Sequence, residues 1–172
     1  MTVTGMIAQS TTNIPSFALL ITVLAAVSGC SSNPPDSAAH RPAATTVVQG
    51  QRIGERAAAV ALDQVGVPYR YGGATTRGFD CSGLVQYSYG KAGKTVPRTT
   101  GQLWSAMQPV ERHELQAGDV LFFRIEGKMS HVGLYVGQQT FVHAPSSGRT
   151  VSVQKLTAPY YSAAFIRAGR PR

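Results

Sequence analysis

Charge is scarce in this sequence: Asp, Glu, Lys and Arg make up only 14% of 172 residues. Acidic residues are the scarcest, 8 against 16 Lys and Arg, so the formal net charge is +8. A basic chain is drawn to anionic polymers or membrane surfaces. There is no basic run or Arg-rich helix, so nothing points to nucleic acid. No apolar run reaches the ~20 residues that a helix needs to cross a bilayer. Several catalytic signatures are also missing. There is no GxSxG serine elbow. In "GKAGKT", residues 90–95, Ser88 stands where a phosphate loop needs its first Gly, and no strand precedes it. In "HELQA" the second His of a zinc-protease helix would fall on Ala117. There is no internal repeat, no CxxC and no HxxxH. Only two cysteines are present, Cys30 and Cys81.

Cys30 is explained by what precedes it. Residues 1–29 carry no charged side chain. Within them "IPSFALLITVLAAV", residues 14–27, has the length of a signal-peptide apolar region. "VSGC" follows, a branched apolar residue and two small ones ahead of the cysteine, and resembles the bacterial lipoprotein box. The expectation is a lipoprotein signal peptide over 1–29 and a lipidated Cys30, although the start lacks the usual Lys or Arg. Acyl chains contribute ~0.8 kcal/mol per buried CH₂, enough for stable anchoring when more than one is attached. Ser31 follows, without an Asp retention signal, so by resemblance to lipoprotein sorting the expected location is the periplasmic face of the outer membrane. Residues 30–50 are rich in Ser, Pro, Ala and Thr and read as a flexible tether, because they cannot bury enough apolar surface to offset their ordering. A globular domain is expected over 51–172, a length sufficient for one core.

Within that domain, "RIGERAAAVALDQVG" carries apolar residues at helical spacing and stops at Gly66. "VPYRYGGATTRGF" reads as a loop. Asp80 or Ser82 caps a second helix over Cys81 to Lys91, and Thr99 or Thr100 a short third one reaching Trp104 and Met107. Then the pattern changes. "GDVLFFR", "HVGLYVG", "TFVHAP", "TVSVQKL" and "AAFIRAG" read as about five antiparallel strands. Helices first and strands second imply an α+β domain.

Cys81 lies in "RGFDCSGLVQ", and with Cys30 lipidated it has no disulfide partner in the chain. A thiol at a helix start is open to three uses: core packing, metal binding or nucleophilic attack. Of the four histidines, His40 falls in the tether and His113 in a polar connection, while His131 and His143 fall on strands. If those strands form a hairpin around residues 137–139 with an odd-length loop, the two rings share a face. The helix starting at Cys81 is expected on that face. His131 would then serve as base, His143 as its orienting group, and the Cys81 N–H as an oxyanion donor. A helix N-terminus and an imidazolium would lower the thiol pKa. Zinc on Cys81, His131 and His143 is the competing reading, weakened by the absence of paired ligand spacing.

The ordered segments "GVPYRYGG", "FDCSGLVQY", "VPRTTGQLW", "LQAGDVLFF", "SHVGLYVG", "FVHAP" and "FIRAGR" resemble the NlpC family of papain-like bacterial cell-wall cysteine peptidases. The likeness covers about Arg52 to Arg170. It implies a papain-like fold, N-terminal helices on an antiparallel sheet, with Cys81 as nucleophile, His131 as base and His143 as the third polar residue. Tyr69 matches a tyrosine at the mouth of the site. Asp80 and Ser82 are placed beside the nucleophile as substrate-binding groups or as caps. Arg98 is placed as structural or substrate-binding. The implied substrate is the peptidoglycan stem peptide, cut at the D-Glu(γ)–meso-diaminopimelate amide or the D-Ala–meso-diaminopimelate crosslink through a thiolate and a thioester. No metal or cofactor is implied. Partners are then peptidoglycan and, through Cys30, the membrane; a protein regulator is left open. The rivals are a non-catalytic wall-binding scaffold and an amidase or acyltransferase on the same fold.

Overall fold

A computed structural model describes residues 43–172, with side chains from residue 48. The expected signal peptide, Cys30 with its lipid, and His40 lie outside the described residues.

Helix α1 spans Ala43–Leu62. It therefore begins within the segment expected to be tether, before the expected domain start at residue 51. The stretch contains no proline, and its Ala and Gln residues favour helix. Ala57, Ala58 and Ala61 are buried. Small residues let the helix approach closely: a Cβ on Gly54 would stand 2.6 Å from the Ala117 carbonyl oxygen.

The expected loop after Gly66 contains two short strands, β1 (Ala74–Thr75) and β2 (Gly78–Phe79), paired antiparallel. Helix α2 spans Cys81–Lys91 and buries Leu84, Val85 and Tyr89, with Asp80 as its N-cap. The Tyr89 hydroxyl donates to the Gly118 carbonyl at 2.6 Å, giving its buried polar end a partner. Helix α3 covers Thr100–Ala106, started by a capping box between Thr99 and Gln102.

Six strands form the main sheet, not the five expected. They are β3 (Met107–Val110), β4 (Val120–Ile125), β5 (Lys128–Gly137), β6 (Thr140–His143), β7 (Ser152–Lys155) and β8 (Phe165–Pro171). The added strand is β3. The helix expected to reach Met107 ends at Ala106, and Met107 opens a strand paired with β8. A 3₁₀ turn covers Arg112–Glu114, and a short helix α4, Pro159–Ala164, precedes β8. Strand order is β3-β8-β4-β5-β6-β7, every pair antiparallel.

Apolar side chains cover both faces of this sheet. Val120, Phe122, Val132, Leu134 and Val142 face α1 and α2, burying Leu84, Val85 and Ala57. Leu121, Phe123, Tyr135 and Phe141 face the other way, against Tyr161 and Phe165. Strand β4 is consequently buried on both sides through Val120, Leu121, Phe122 and Phe123. Each such side chain contributes about 1.5–3 kcal/mol.

Candidate active site

The site is built where α2 begins. Asp80 Oδ1 accepts the Gly83 N–H at 2.7 Å, and Asp80 Oδ2 accepts the Gly72 N–H at 3.0 Å. Arg98 grips both carboxylate oxygens, at 2.9 and 2.6 Å, and donates to the Ser82 hydroxyl at 3.0 Å. A bidentate pair of this kind fixes orientation as well as charge. Asp80 and Ser82 are buried. Both were expected beside the nucleophile as substrate-binding groups or caps. Their polar atoms are spent on the cap and on Arg98, which anchors the start of α2. Gly83 completes the seat, because a Cβ there would collide with the Gly73 carbonyl oxygen. The glycines of "YRYGG" and "DCSG" thus meet each other.

Strand β5 receives the other side of Cys81. Its pairing with β6 begins only at Leu134 and Val142, so earlier residues of β5 have no β6 partner. Cys81 Sγ lies 3.9 Å from the Ser130 carbonyl oxygen and 4.0 Å from the Thr100 hydroxyl.

His131 and His143 do share a face, and His131 Nε2 lies 2.8 Å from His143 Nδ1. The expected odd-length loop is realised differently. The turn is Gln138–Gln139, both at positive φ, and an irregularity between Tyr135 and Gly137 supplies the extra residue. The rings lie on the face opposite α2, among Phe123, Phe141 and Tyr161. This corrects the expectation that α2 packs on the histidine face: its apolar residues cover the other face. Gly133, between His131 and Tyr135, leaves room for Phe141, whose ring carbon would stand 2.5 Å from a Cβ there.

The relay of contacts from Tyr161 through His143 to His131 can run in either direction, and one direction prepares a base. His143 Nε2 lies 3.4 Å from the Tyr161 hydroxyl. If His131 donates through Nε2 to His143 Nδ1, then His143 carries its hydrogen on Nε2, toward Tyr161. His131 Nδ1 is then a bare acceptor, the state a base requires. Tyr161 was not singled out from the sequence; the signal was present in "APYYSAA", where Pro159 opens a helix.

Electrostatics depart from the expected ion pair. Burial is the first cause in each case: it pushes the Cys81 thiol up, His131 down to about 4 and His143 down to about 3. The Val132 and Ser82 amides and the Thr100 hydroxyl pull the thiol the other way without prevailing. The nearby Arg149 guanidinium also disfavours a charged His143. The resting pair is therefore a neutral thiol and a neutral imidazole. Tyr69 is partly buried, and burial is the first cause that raises its phenol.

The zinc alternative does not fit this geometry. The two imidazoles bond to each other, and among the described residues no group of three or more His, Cys, Asp or Glu could hold a metal. Cys81 is a free thiol.

These features define an α+β, papain-like domain with a cysteine at a helix start and a hydrogen-bonded histidine pair on the neighbouring sheet. Residues 66–170 match the model of the NlpC/P60 family, and the chain belongs to that family. It is 40% identical over 115 residues to the murein DD-endopeptidase MepH of Escherichia coli strain K12, covering 63% of this chain and 42% of that protein. Identity is also 40% over 114 residues to CwlT of Bacillus subtilis strain 168, a bifunctional muramidase/DL-endopeptidase, covering 64% of this chain and 34% of that one. The matches thus span less than half of either relative. A crystal structure of an NlpC/P60 family protein from Bacillus cereus superposes with a TM-score of 0.64 at 31% identity, over 68% of this chain and 39% of that one.

Proposed function

We propose that the protein is a cysteine endopeptidase of peptidoglycan, cutting the stem peptide at the D-Glu(γ)–meso-diaminopimelate amide or the D-Ala–meso-diaminopimelate crosslink. The observation that carries this reading is the Cys81 thiol at the α2 tip, set against the Ser130 carbonyl of β5, next in the chain to His131, which is hydrogen-bonded to His143. The endopeptidase names of similar proteins support the substrate class.

In the first step Sγ attacks the scissile carbonyl carbon while His131 Nδ1 takes the thiol proton. The carbonyl electron pair moves onto oxygen, where the Cys81 N–H at the helix start donates to it. As the intermediate collapses, the C–N bond breaks and His131 returns the proton to the leaving amine. A Cys81 thioester remains. His131 then deprotonates a water that attacks the thioester, releasing a carboxylic acid and the thiol. His143 holds the His131 ring and shares its transient charge. Tyr69 borders the entrance, and a lipid on Cys30 would hold the domain at the periplasmic face of the outer membrane, within reach of the wall.

The test is digestion of purified sacculi by the wild type and by Cys81→Ala, with products identified by mass. The variant should lose about 10³-fold or more in rate. Equal product release by both proteins would remove the claim, and the product masses identify the bond.

A further inference from the structure

On the side of His143 away from His131 lies a cavity of about 320 Å³, lined by His143, Arg149, Thr150, Ser152, Gln154 and Tyr161. That is the size of a small-ligand site. The chemistry of its wall is one-sided. Arg149, Thr150, Ser152, Gln154 and Tyr161 all carry hydrogen-bond donors, and no Asp or Glu lines the space. Arg149 is exposed and, among the described residues, forms no ion pair. A planar guanidinium without a counter-charge, beside hydroxyl and amide donors, matches the two oxygens of a carboxylate.

Backbone bonds tie one wall of the cavity to the segment that carries Tyr69. The Arg149 carbonyl accepts the Tyr69 N–H at 2.8 Å, and Val151 exchanges backbone bonds with Gly66 and Val67 at 2.9 and 2.8 Å. The Arg149 wall is therefore stitched to the segment that carries Tyr69. The other wall is the His143–Tyr161 edge, and His143 links it to His131.

His131 fixes which part of a substrate arrives there. It gives its proton to the leaving amine, so the space beyond the histidines lies on the amine side of the scissile bond. In both bonds considered above, that amine belongs to diaminopimelate. We propose that this cavity is a subsite for the side-chain carboxylate of the substrate's diaminopimelate residue, with Arg149 as its anchor. The inference rests on the stem-peptide reading and extends it to a specificity-determining residue.

The experiment compares two synthetic crosslinked stem-peptide dimers, which contain both candidate bonds, one with free diaminopimelate side-chain carboxylates and one with those groups as carboxamides. Turnover is measured for the wild type, Arg149→Gln and Arg149→Lys. Dissociation constants are measured for the same peptides on Cys81→Ala, with and without Arg149→Gln. The wild type should prefer the free carboxylate by about tenfold in kcat/KM, the size of one charge-assisted contact. Arg149→Gln should abolish the preference, and Arg149→Lys should retain part of it. On Cys81→Ala the same preference should appear in Kd and disappear with Arg149→Gln. A wild type indifferent to the carboxamide, or a preference that survives Arg149→Gln, overturns the subsite. If the wild type cleaves neither peptide, the endopeptidase reading fails by itself, and the Kd comparison still decides the subsite.

Discussion

A buried imidazole that takes up its second proton only near pH 4 is available as a base over a wide range, and that sets the behaviour of His131. The thiol beside it is raised by the same burial. Neither group is charged near neutral pH, so proton transfer belongs to the attack itself and not to the resting state. Iodoacetamide labelling of Cys81 is therefore expected to rise steadily with pH and to fall by about tenfold or more from pH 8 to pH 5. A labelling rate that stays level to pH 5 would mean a preformed thiolate and would contradict the neutral pair. The acid limb of kcat/KM should reflect His131 and lie near pH 4, provided the fold survives there. Asp80 supplies a second residue-scale prediction. It caps α2, bonds Gly72 and pairs with Arg98, so Asp80→Asn removes charge from a partly buried network. Stability should fall by about 2 kcal/mol in chemical denaturation. Because the change displaces the thiol and not a substrate contact, kcat should fall more than KM rises.

Elements place these residues, and glycine decides two of the placements. The first turn of α2 lies against the Gly72–Gly73 turn, and Gly83 makes the contact without a Cβ. Gly83→Ala is expected to lower the melting temperature by several degrees, equivalent to about 2 kcal/mol, and to cost activity as α2 lifts away. The β4–β5 hairpin offers a change of opposite sign. Its turn is Glu126–Gly127, both at positive φ, where Asn is preferred at the first position. Glu126→Asn should raise stability by about 0.5 kcal/mol and leave cleavage unchanged; a loss in thermal denaturation would contradict the turn assignment. The sequence made much of this scale legible. Asp80 as cap, Cys81 as first helical residue, and His131 and His143 on one face all follow from short-range periodicity and capping. Strand β3 was not legible, because "MQPV" is short, contains Pro and gains its identity only by pairing with β8. The placement of β8 between β3 and β4 is equally non-local. The side of the sheet that α2 covers could not be read either: alternation groups residues by face but does not say which face meets the helix. Tyr161 was missed for a related reason, since its partner His143 is distant in sequence and meets it only once α4 folds over the sheet.

At the scale of the whole molecule, two histidines are held neutral inside a domain that must tolerate their burial. In the unfolded chain each titrates near 6.5; in the folded state they sit at about 4 and about 3. Between these limits the unfolded chain binds more protons than the folded one, so stability rises with pH across the window. The contribution is fully present above about pH 6.5 and drains away as pH falls toward 3. Both rings are protonated in the unfolded chain at about pH 4.5 and largely neutral in the folded one, so acidification from about pH 7 to pH 4.5 should cost several kcal/mol for the pair. Urea denaturation of the wild type and of a His131→Asn/His143→Asn double variant at both pH values measures it. The wild type should lose stability on acidification by that amount more than the variant does. Equal losses would mean that the buried pair does not govern acid sensitivity.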